Sequence, residues 1–191
     1  MKLNDLLLTT KEFSFQDLLR ENCSQFIYQS KGLPLIKLLP VSYDDFQKVK
    51  LRKRKGDKVA PQFNEAFIDN IYNLRQRALF ANTEITEKIE EEEVEPYFVF
   101  PINGYKFLYS NSVKNSNQDY KKSFDSILES MGDKKGSEVI SDMLQFTYID
   151  NENLYEGIKS GAEIIIYNIP YFYSVKISNQ QSYDDLYSLI N

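Results

Sequence analysis

The chain has 191 residues, of which 42% are hydrophobic and 14% aromatic; this length and composition predict a single domain with a sizeable core and exclude global disorder. The sequence contains no histidine, which excludes Ser–His and Cys–His nucleophiles, imidazole bases and nearly all zinc sites. The formal net charge of −5 combines +5 over residues 1–83 with −10 over residues 84–191, so only one side of the protein is expected to favour a polyanion.

Cysteine usage and hydropathy bear on the compartment. Cys23 is the only cysteine; it cannot form a disulfide within the chain, which predicts a reducing compartment and a small apolar role on a helix face. No apolar run approaches the roughly 20 residues that a membrane span requires, and the apolar block at residues 6–8 is too short for a signal peptide. We therefore expect an intracellular protein with no membrane contact and no metal.

The first predicted elements are a helix and a short strand. Ser14 followed three residues later by Asp17 forms a loose capping box, after which apolar residues recur at helical spacing. Gly32 and Pro34 are expected to end this helix. The apolar run at residues 35–39, ended by a proline, predicts a buried strand.

A strongly basic strand follows at residues 48–55 (KVKLRKRK), where alternation of apolar and basic residues predicts a half-buried strand with a cationic outer face. Arg52 and Arg54 share that face, and an arginine fork can hold a phosphate or pyrophosphate bidentately. Two alternatives remain open. The strand can be a lysine-rich edge that resists aggregation, or the seven basic residues at 48–58 can contact a nucleic-acid backbone.

The middle of the chain predicts a helix at residues 62–74 and a strand at 77–81 (RALFA). The stretch at about 84–95 is acidic, with an unbroken glutamate run at 90–93. Like charges this dense repel one another, which predicts a solvated acidic loop.

The second half predicts two strand pairs, one at residues 97–109 around an Asn103–Gly104 turn and one formed by 162–169 and 171–177, with Pro170 between them. Three helices are predicted at residues 119–131, 137–148 and 183–190. The order of helices and strands predicts one α+β domain over residues 1–191, with a mixed or antiparallel central sheet and flanking helices.

Glu163 is the most informative single residue. It lies in an isoleucine-rich strand, SGAEIIIYNI, where an ionised carboxylate is costly unless it is paired. If Ile164 and Ile166 face the core, Glu163 lies on the other face of the strand. A carboxylate in a partly apolar groove can stabilise a developing cation; the alternative is a strand-end glutamate whose carboxylate reaches water or one lysine.

Hydroxyl and aromatic side chains are candidates to line a pocket. They come from the stretch LRQRALFANTE, which supplies Phe80 and Thr83, and from the aromatic block that supplies Tyr105. The alternative is that these rings form an ordinary sheet core. The glycines are scattered and form no phosphate-binding loop, so we do not expect a Walker or Rossmann nucleotide site.

Taken in chain order, these features resemble the small mono-ADP-ribosyltransferases of tailed phages and bacterial toxin systems, over residues 48–177. The resemblance rests on the basic strand, RQRALFANTE, YFVFPINGYKFLYS, and SGAEIII followed by YFYSVKI. It implies the α+β fold of that family and NAD as a substrate. It also implies that Arg52 or Arg54 grips the dinucleotide and that Glu163 is the catalytic carboxylate on the nicotinamide-side ribose.

The resemblance also bears on the pocket and the acceptor. Thr83 stands where the family has a Ser/Thr-rich strand that shapes the nicotinamide pocket, and Phe80 and Tyr105 are the expected aromatic wall. Position 161 is glycine, whereas arginine-modifying members usually have Glu or Gln two residues before the catalytic glutamate. The implied acceptor is therefore a protein group other than arginine, or nucleic acid. The alternative is a non-enzymatic phage protein, either part of a virion or larger assembly or a binder of a host complex, in the host cytoplasm.

Overall fold

Helices and strands alternate through the part of the chain that the computed structural model describes, which comprises residues 14–51, 60–67, 74–85, 93–150, 153–177 and 183–190. The helices are α1 (Phe15–Asn22), α2 (Ser24–Ser30), α3 (Ala60–Ala66), α4 (Leu74–Arg77), α5 (Ser116–Met131), α6 (Asp133–Thr147), α7 (Leu154–Lys159) and α8 (Tyr183–Ile190). The strands are β1 (Ile36–Pro40), β2 (Phe46–Lys50), β3 (Leu79–Ala81), β4 (Val94–Pro101), β5 (Lys106–Tyr109), β6 (Ile149–Asp150), β7 (Ile164–Tyr167) and β8 (Tyr171–Lys176).

The strands form two four-stranded sheets. The first sheet has the order β1-β4-β8-β2 and the second has the order β3-β7-β5-β6. Each described strand pair is antiparallel, and a bridge between Ile36 and Asn82 connects the two sheets. The predicted α+β class with antiparallel strands and flanking helices is confirmed. The expectation of one central sheet is wrong, because the strands are divided between two.

The two predicted strand pairs are also wrong, because in each case the chain crosses from one sheet to the other. β4 lies in the first sheet and β5 in the second, while β7 lies in the second and β8 in the first. Gly104 (φ 87°) and Asn168 (φ 66°) adopt left-handed conformations at these crossovers. The Asn168 side-chain amide donates to the Gly104 carbonyl oxygen at 3.0 Å, which ties the two crossovers together.

The N-terminal helical region confirms its predicted cap. Ser14 and Asp17 form a capping box at the start of α1. Cys23 interrupts the helical region between α1 and α2, and its side chain is completely buried, as expected for a small apolar residue. Lys31 and Gly32 then adopt positive φ angles, which ends α2 where the sequence predicted.

β2 confirms the first part of the predicted basic strand, half-buried with a cationic outer face, but it spans residues 46–50 and not 48–55: Leu51 lies outside the strand, and residues 52–55 lie outside the described ranges. Lys48 and Lys50 are exposed, and Val49 between them is half-buried. The strand pairs only with β8 among the described strands, so it forms an edge of the first sheet. The Lys48 ammonium lies 3.6 Å from the centre of the Tyr171 ring. These features match the alternative of a lysine-rich edge strand.

The middle of the chain partly follows its predictions. α3 and α4 fall within or next to the predicted helix, and β3 begins at Leu79, two residues later than expected, because α4 extends to Arg77. At the ends of the predicted acidic loop, Glu84 and Glu93 are exposed. Glu95, however, belongs to β4 and forms an ion pair with Lys176; the glutamate run at 90–93 lies outside the described residues except for Glu93.

The two hydrophobic clusters meet at β7, which is buried on both faces. Ile164 and Ile166 pack into the larger cluster with the first sheet, α1 and α2. Ile165 packs into the smaller cluster with residues of α3, α5 and α6. Each of these three isoleucines is completely buried, and burial of such a side chain stabilises the fold by about 1.5–3 kcal/mol. β7 is thus a rigid support for the residues that precede it.

α7, which no sequence pattern predicted, packs directly on the second sheet. A Cβ added at Gly157 would lie 2.6 Å from the Tyr109 ring, so only glycine permits this approach. The helix begins at Asn153, whose side chain accepts a hydrogen bond from the Glu156 N–H. It leads directly into β7 through Ser160–Glu163, and its close packing therefore fixes that connection.

Candidate functional site

Glu163 precedes the first residue of β7 and is a buried carboxylate, only 5% exposed. Its backbone N–H donates to the Val113 carbonyl oxygen at 3.0 Å. Its carboxylate oxygen Oε2 accepts a hydrogen bond from the backbone N–H of Ser116 at 3.3 Å. Ser116 is the first residue of α5, so the positive end of that helix faces the carboxylate and favours its negative charge.

Thr83 lies at the same end of the second sheet. β3 and β7 are hydrogen-bonded neighbours, with Ala81 opposite Ile164, so Thr83 follows β3 at the end where Glu163 precedes β7. The Thr83 hydroxyl oxygen lies 3.7 Å from the position that a Cβ on Gly161 would occupy. The structure therefore brings together the two segments that the sequence selected as separate features.

Lys114 completes this group of side chains, although the sequence gave no reason to select it. Its ammonium nitrogen lies 3.1 Å from the same Gly161 Cβ position and donates to the Ser160 carbonyl oxygen. Gly161 has φ +72° and no side chain, which leaves a narrow notch that the Thr83 hydroxyl and the Lys114 ammonium group border so closely that even a methyl group would be crowded there. We call Thr83, Lys114, Gly161 and Glu163 the β7 cluster.

The loop that carries Lys114 is fixed by side chains at the start of α5. The Asn115 carboxamide oxygen accepts from the N–H groups of Asn117 and Gln118 at 3.1 and 3.2 Å. The Asp119 carboxylate accepts from the N–H groups of Lys114 and Asn115, both at 3.1 Å. With Glu163 on the next N–H, the first turn of α5 is fully capped. These bonds position Lys114 and Glu163 relative to each other.

The two predicted aromatic residues lie on opposite faces of the second sheet. Phe80 is opposite Ile165 and packs in the smaller cluster, on the face that α5 and Glu163 share. Tyr105 packs in the larger cluster, where its hydroxyl donates to the Gln29 side-chain oxygen at 2.5 Å and burial raises its pKa. Phe80 is therefore near the β7 cluster, whereas Tyr105 is separated from it by the sheet.

Arg52 and Arg54 lie outside the described residues. The residue before them, Leu51, donates its backbone N–H to the Pro170 carbonyl oxygen at 3.0 Å. Pro170 follows the C-terminal end of β7, whereas Glu163 precedes the N-terminal end. Leu51 and Glu163 therefore lie at opposite ends of this strand.

Other kinds of site find little support in the described ranges. Within them, no three His, Cys, Asp or Glu side chains are grouped so that they could hold a metal ion. Across the same ranges, none of the helices has the length and hydropathy needed to cross a bilayer. Burial strongly raises the pKa of the Cys23 thiol, so this residue stays protonated and is a poor nucleophile.

Comparison with known proteins gave no match: no protein-family model fits the chain, and no curated protein or solved structure is significantly similar to it. The geometry of the β7 cluster and the resemblance in the sequence are therefore the features that bear on function.

Proposed function

We propose that this protein is a mono-ADP-ribosyltransferase-like enzyme that transfers ADP-ribose from NAD to a macromolecular acceptor other than arginine. The observation that carries the proposal is the position of Glu163, a buried carboxylate on the strand next to the one that leads to Thr83. The resemblance implies that Thr83 shapes the nicotinamide pocket and that Glu163 is the catalytic carboxylate, and a shared location of the two residues supports both roles. The two antiparallel sheets and flanking helices agree with an ADP-ribosyltransferase-like fold.

The reaction needs charge stabilisation more than acid–base chemistry. The bond between the nicotinamide nitrogen and the ribose anomeric carbon breaks, and its electron pair leaves with neutral nicotinamide. Positive charge then develops on the ribose, and the lone pair of the acceptor forms the new bond to the same carbon while the acceptor proton passes to solvent. A buried carboxylate such as Glu163 stabilises that charge more strongly than one in water.

The surroundings of Glu163 suit this role because they hold the carboxylate in place. The Ser116 N–H and the end of α5 stabilise its negative charge, and the rigid β7 follows it directly. An electrostatic group that is already oriented needs no reorganisation during the reaction. Position 161 carries no side chain, and this agrees with an acceptor other than arginine.

The test is nicotinamide release from NAD by the wild-type protein and by Glu163→Gln, with host lysate as the source of acceptor. Glu163→Gln keeps the side-chain shape but removes the charge, and we expect a loss of about 100–1,000-fold in turnover. Glu156→Gln is the matched control, since Glu156 is an exposed carboxylate on α7. No release from the wild-type protein, or equal release from both variants, would contradict the proposal.

A second candidate function, binding to a host complex or a larger assembly, is favoured by the outer face of α6. Val139 and Phe146 lie seven residues apart on this helix and are 37% and 87% exposed, so they share a face. A photo-crosslinking residue in place of Phe146 should then capture a defined partner in cells. The same residue in place of the exposed Glu129 on α5 should not, and identical capture from both positions would contradict this function.

A further inference from the structure

Two lysine side chains from different parts of the chain lie close to the aromatic ring of Tyr155 on α7. The ammonium groups of Lys31 and Lys159 lie 4.9 and 5.7 Å from the centre of the Tyr155 ring. Lys31 follows α2 and Lys159 ends α7, so the contact between these two helices brings the two charges together. Both lysines are exposed.

Lys114 continues this row towards Glu163. Lys159 is followed by Ser160, whose carbonyl oxygen accepts a hydrogen bond from the Lys114 ammonium group. Lys114 in turn borders the notch at Gly161, two residues before Glu163. We call Lys31, Lys159 and Lys114 the lysine track; it follows α7 and ends at the β7 cluster.

The charges of the lysine track are not neutralised within the described part of the protein. No carboxylate among the described residues forms an ion pair with any of the three lysines. Glu156 is the acidic residue of α7, and it is exposed. Two of the three lysines, Lys114 and Lys159, belong to residues 84–191, whose net charge is −10, yet neither has an acidic partner among the described residues. A row of ammonium groups attracts a ligand with regularly spaced negative charges.

Aromatic rings along the lysine track indicate which polyanion fits. Tyr155 lies between two ammonium groups and is half-buried. Tyr28, on α2, is 83% exposed and lies three residues before Lys31 in the chain. Exposed rings interleaved with cations are typical of surfaces for single-stranded nucleic acid, since bases stack on the rings while lysines contact phosphates.

We infer that the lysine track binds single-stranded nucleic acid through its phosphates and leads that strand to the β7 cluster. α7 has only six residues, and nothing in the track is placed to read base edges, so the binding is independent of sequence. The inference goes beyond the proposed function, because the track binds whether or not Glu163 is catalytic. If both hold, the strand on the track is the nucleic-acid acceptor.

The experiment measures the affinity of the full-length protein for short labelled oligo-deoxythymidine and oligo-uridine strands, by fluorescence anisotropy over a series of salt concentrations. For three phosphate contacts to a single strand, log affinity is expected to fall with log salt with a slope of about −2. Lys31→Ala, Lys159→Ala and Lys114→Gln combined should weaken binding tenfold or more at low salt and flatten that slope, because the phosphate contacts are lost.

The matched control is a triple variant with the same change in charge, Lys121→Ala, Lys122→Ala and Lys134→Gln, at exposed positions on α5 and α6. It should bind the strands as the wild-type protein does. Tyr28→Ser alone should weaken binding without altering the salt slope, because stacking releases no counterions. Circular dichroism checks that each variant is folded.

Three outcomes would overturn the inference: no binding of either strand at low salt, equal losses in the two triple variants, or tighter binding of poly-glutamate than of either strand, which would indicate an acidic protein partner. Nicotinamide release by the same proteins tests the proposed function separately. Release without strand binding contradicts only the inference, and strand binding without release contradicts only the proposed function.

Discussion

The sequence predicted charged sites in two regions, the segment with Glu163 before β7 and the basic strand that includes β2. These regions differ in the free energy needed to keep their charges in the folded protein. Glu163 is 5% exposed and is held by a helix N-terminus. Lys48 and Lys50 are exposed on an edge strand. Burial of a charge costs free energy that other groups must offset, whereas an exposed lysine costs almost nothing. A buried charge therefore indicates a specific role more strongly than a run of exposed ones.

Removal of the Glu163 carboxylate is expected to reduce the free energy of unfolding more than the other substitutions considered below. Glu163→Ala leaves the Ser116 N–H, in a completely buried residue, without its carboxylate partner. Hydrogen bonds to charged groups contribute about 1.5–3 kcal/mol, so we expect a loss of that order in the free energy of unfolding, measured by urea denaturation. A variant as stable as the wild-type protein would show that α5 does not depend on this carboxylate.

Gly161→Ala tests whether NAD binds at the β7 cluster, and Gly104→Ala is its matched control. Both glycines have positive φ, so each substitution should destabilise the protein by about 1–2 kcal/mol. Only at Gly161 does the new Cβ approach other groups, with Lys114 at 3.1 Å, whereas nothing lies within 4 Å at Gly104.

We therefore expect the urea midpoint to fall at least as much for Gly161→Ala as for Gly104→Ala, and loss of NAD binding, measured by calorimetry, only for Gly161→Ala. Loss of NAD binding in both variants would mean that the notch at Gly161 has no special role.

Cys23 provides a pH test of burial. Because burial raises the pKa of this thiol in the folded protein, the unfolded chain loses the proton first as pH rises. Stability should therefore fall above the unfolded thiol pKa of about 8.5, by up to about 1.4 kcal/mol for each further pH unit. Urea midpoints between pH 8 and 10 should fall less steeply for Cys23→Ala; parallel curves would show that the thiol ionises equally in both states.

The smallest effects on stability and activity are expected from substitutions of the exposed lysines of β2. Lys50→Ala removes an exposed charge, and such a surface change usually stays within about 0.5 kcal/mol. Lys48→Ala also removes the contact with the Tyr171 ring, which contributes about 0.5–1 kcal/mol. The urea midpoint should therefore fall only slightly, and nicotinamide release by both variants should match the wild-type protein. A clear loss of activity in either variant would assign a role to the basic edge strand and remove the contrast with Glu163.

Local signals in the sequence predicted local structure well. The capping box at Ser14 and the predicted end of α5 at residue 131 are confirmed, because helix ends depend on residues within a few positions of each other. The alternation around Glu163 also placed Ile164 and Ile166 on one face and Ile165 on the other, as the clusters show.

Pairing between distant segments could not be predicted in the same way. The Asn103–Gly104 turn marks where the chain changes direction, but a turn does not determine which strand becomes a neighbour. α7 escaped prediction because it has only six residues and few apolar positions. Lys114 escaped because its relation to Thr83 and Gly161 exists only after three separate segments fold together. Arg52 and Arg54, outside the described residues, stay predictions.

The proposed role of Glu163 in NAD binding is tested most directly by a crystal structure of the protein with a non-hydrolysable NAD analogue. We expect the nicotinamide-side ribose to lie within hydrogen-bonding distance of the Glu163 carboxylate, about 3 Å, with the ligand in contact with Thr83 and next to Gly161. An analogue bound elsewhere on the molecule, or none bound at saturating concentration, would contradict that role.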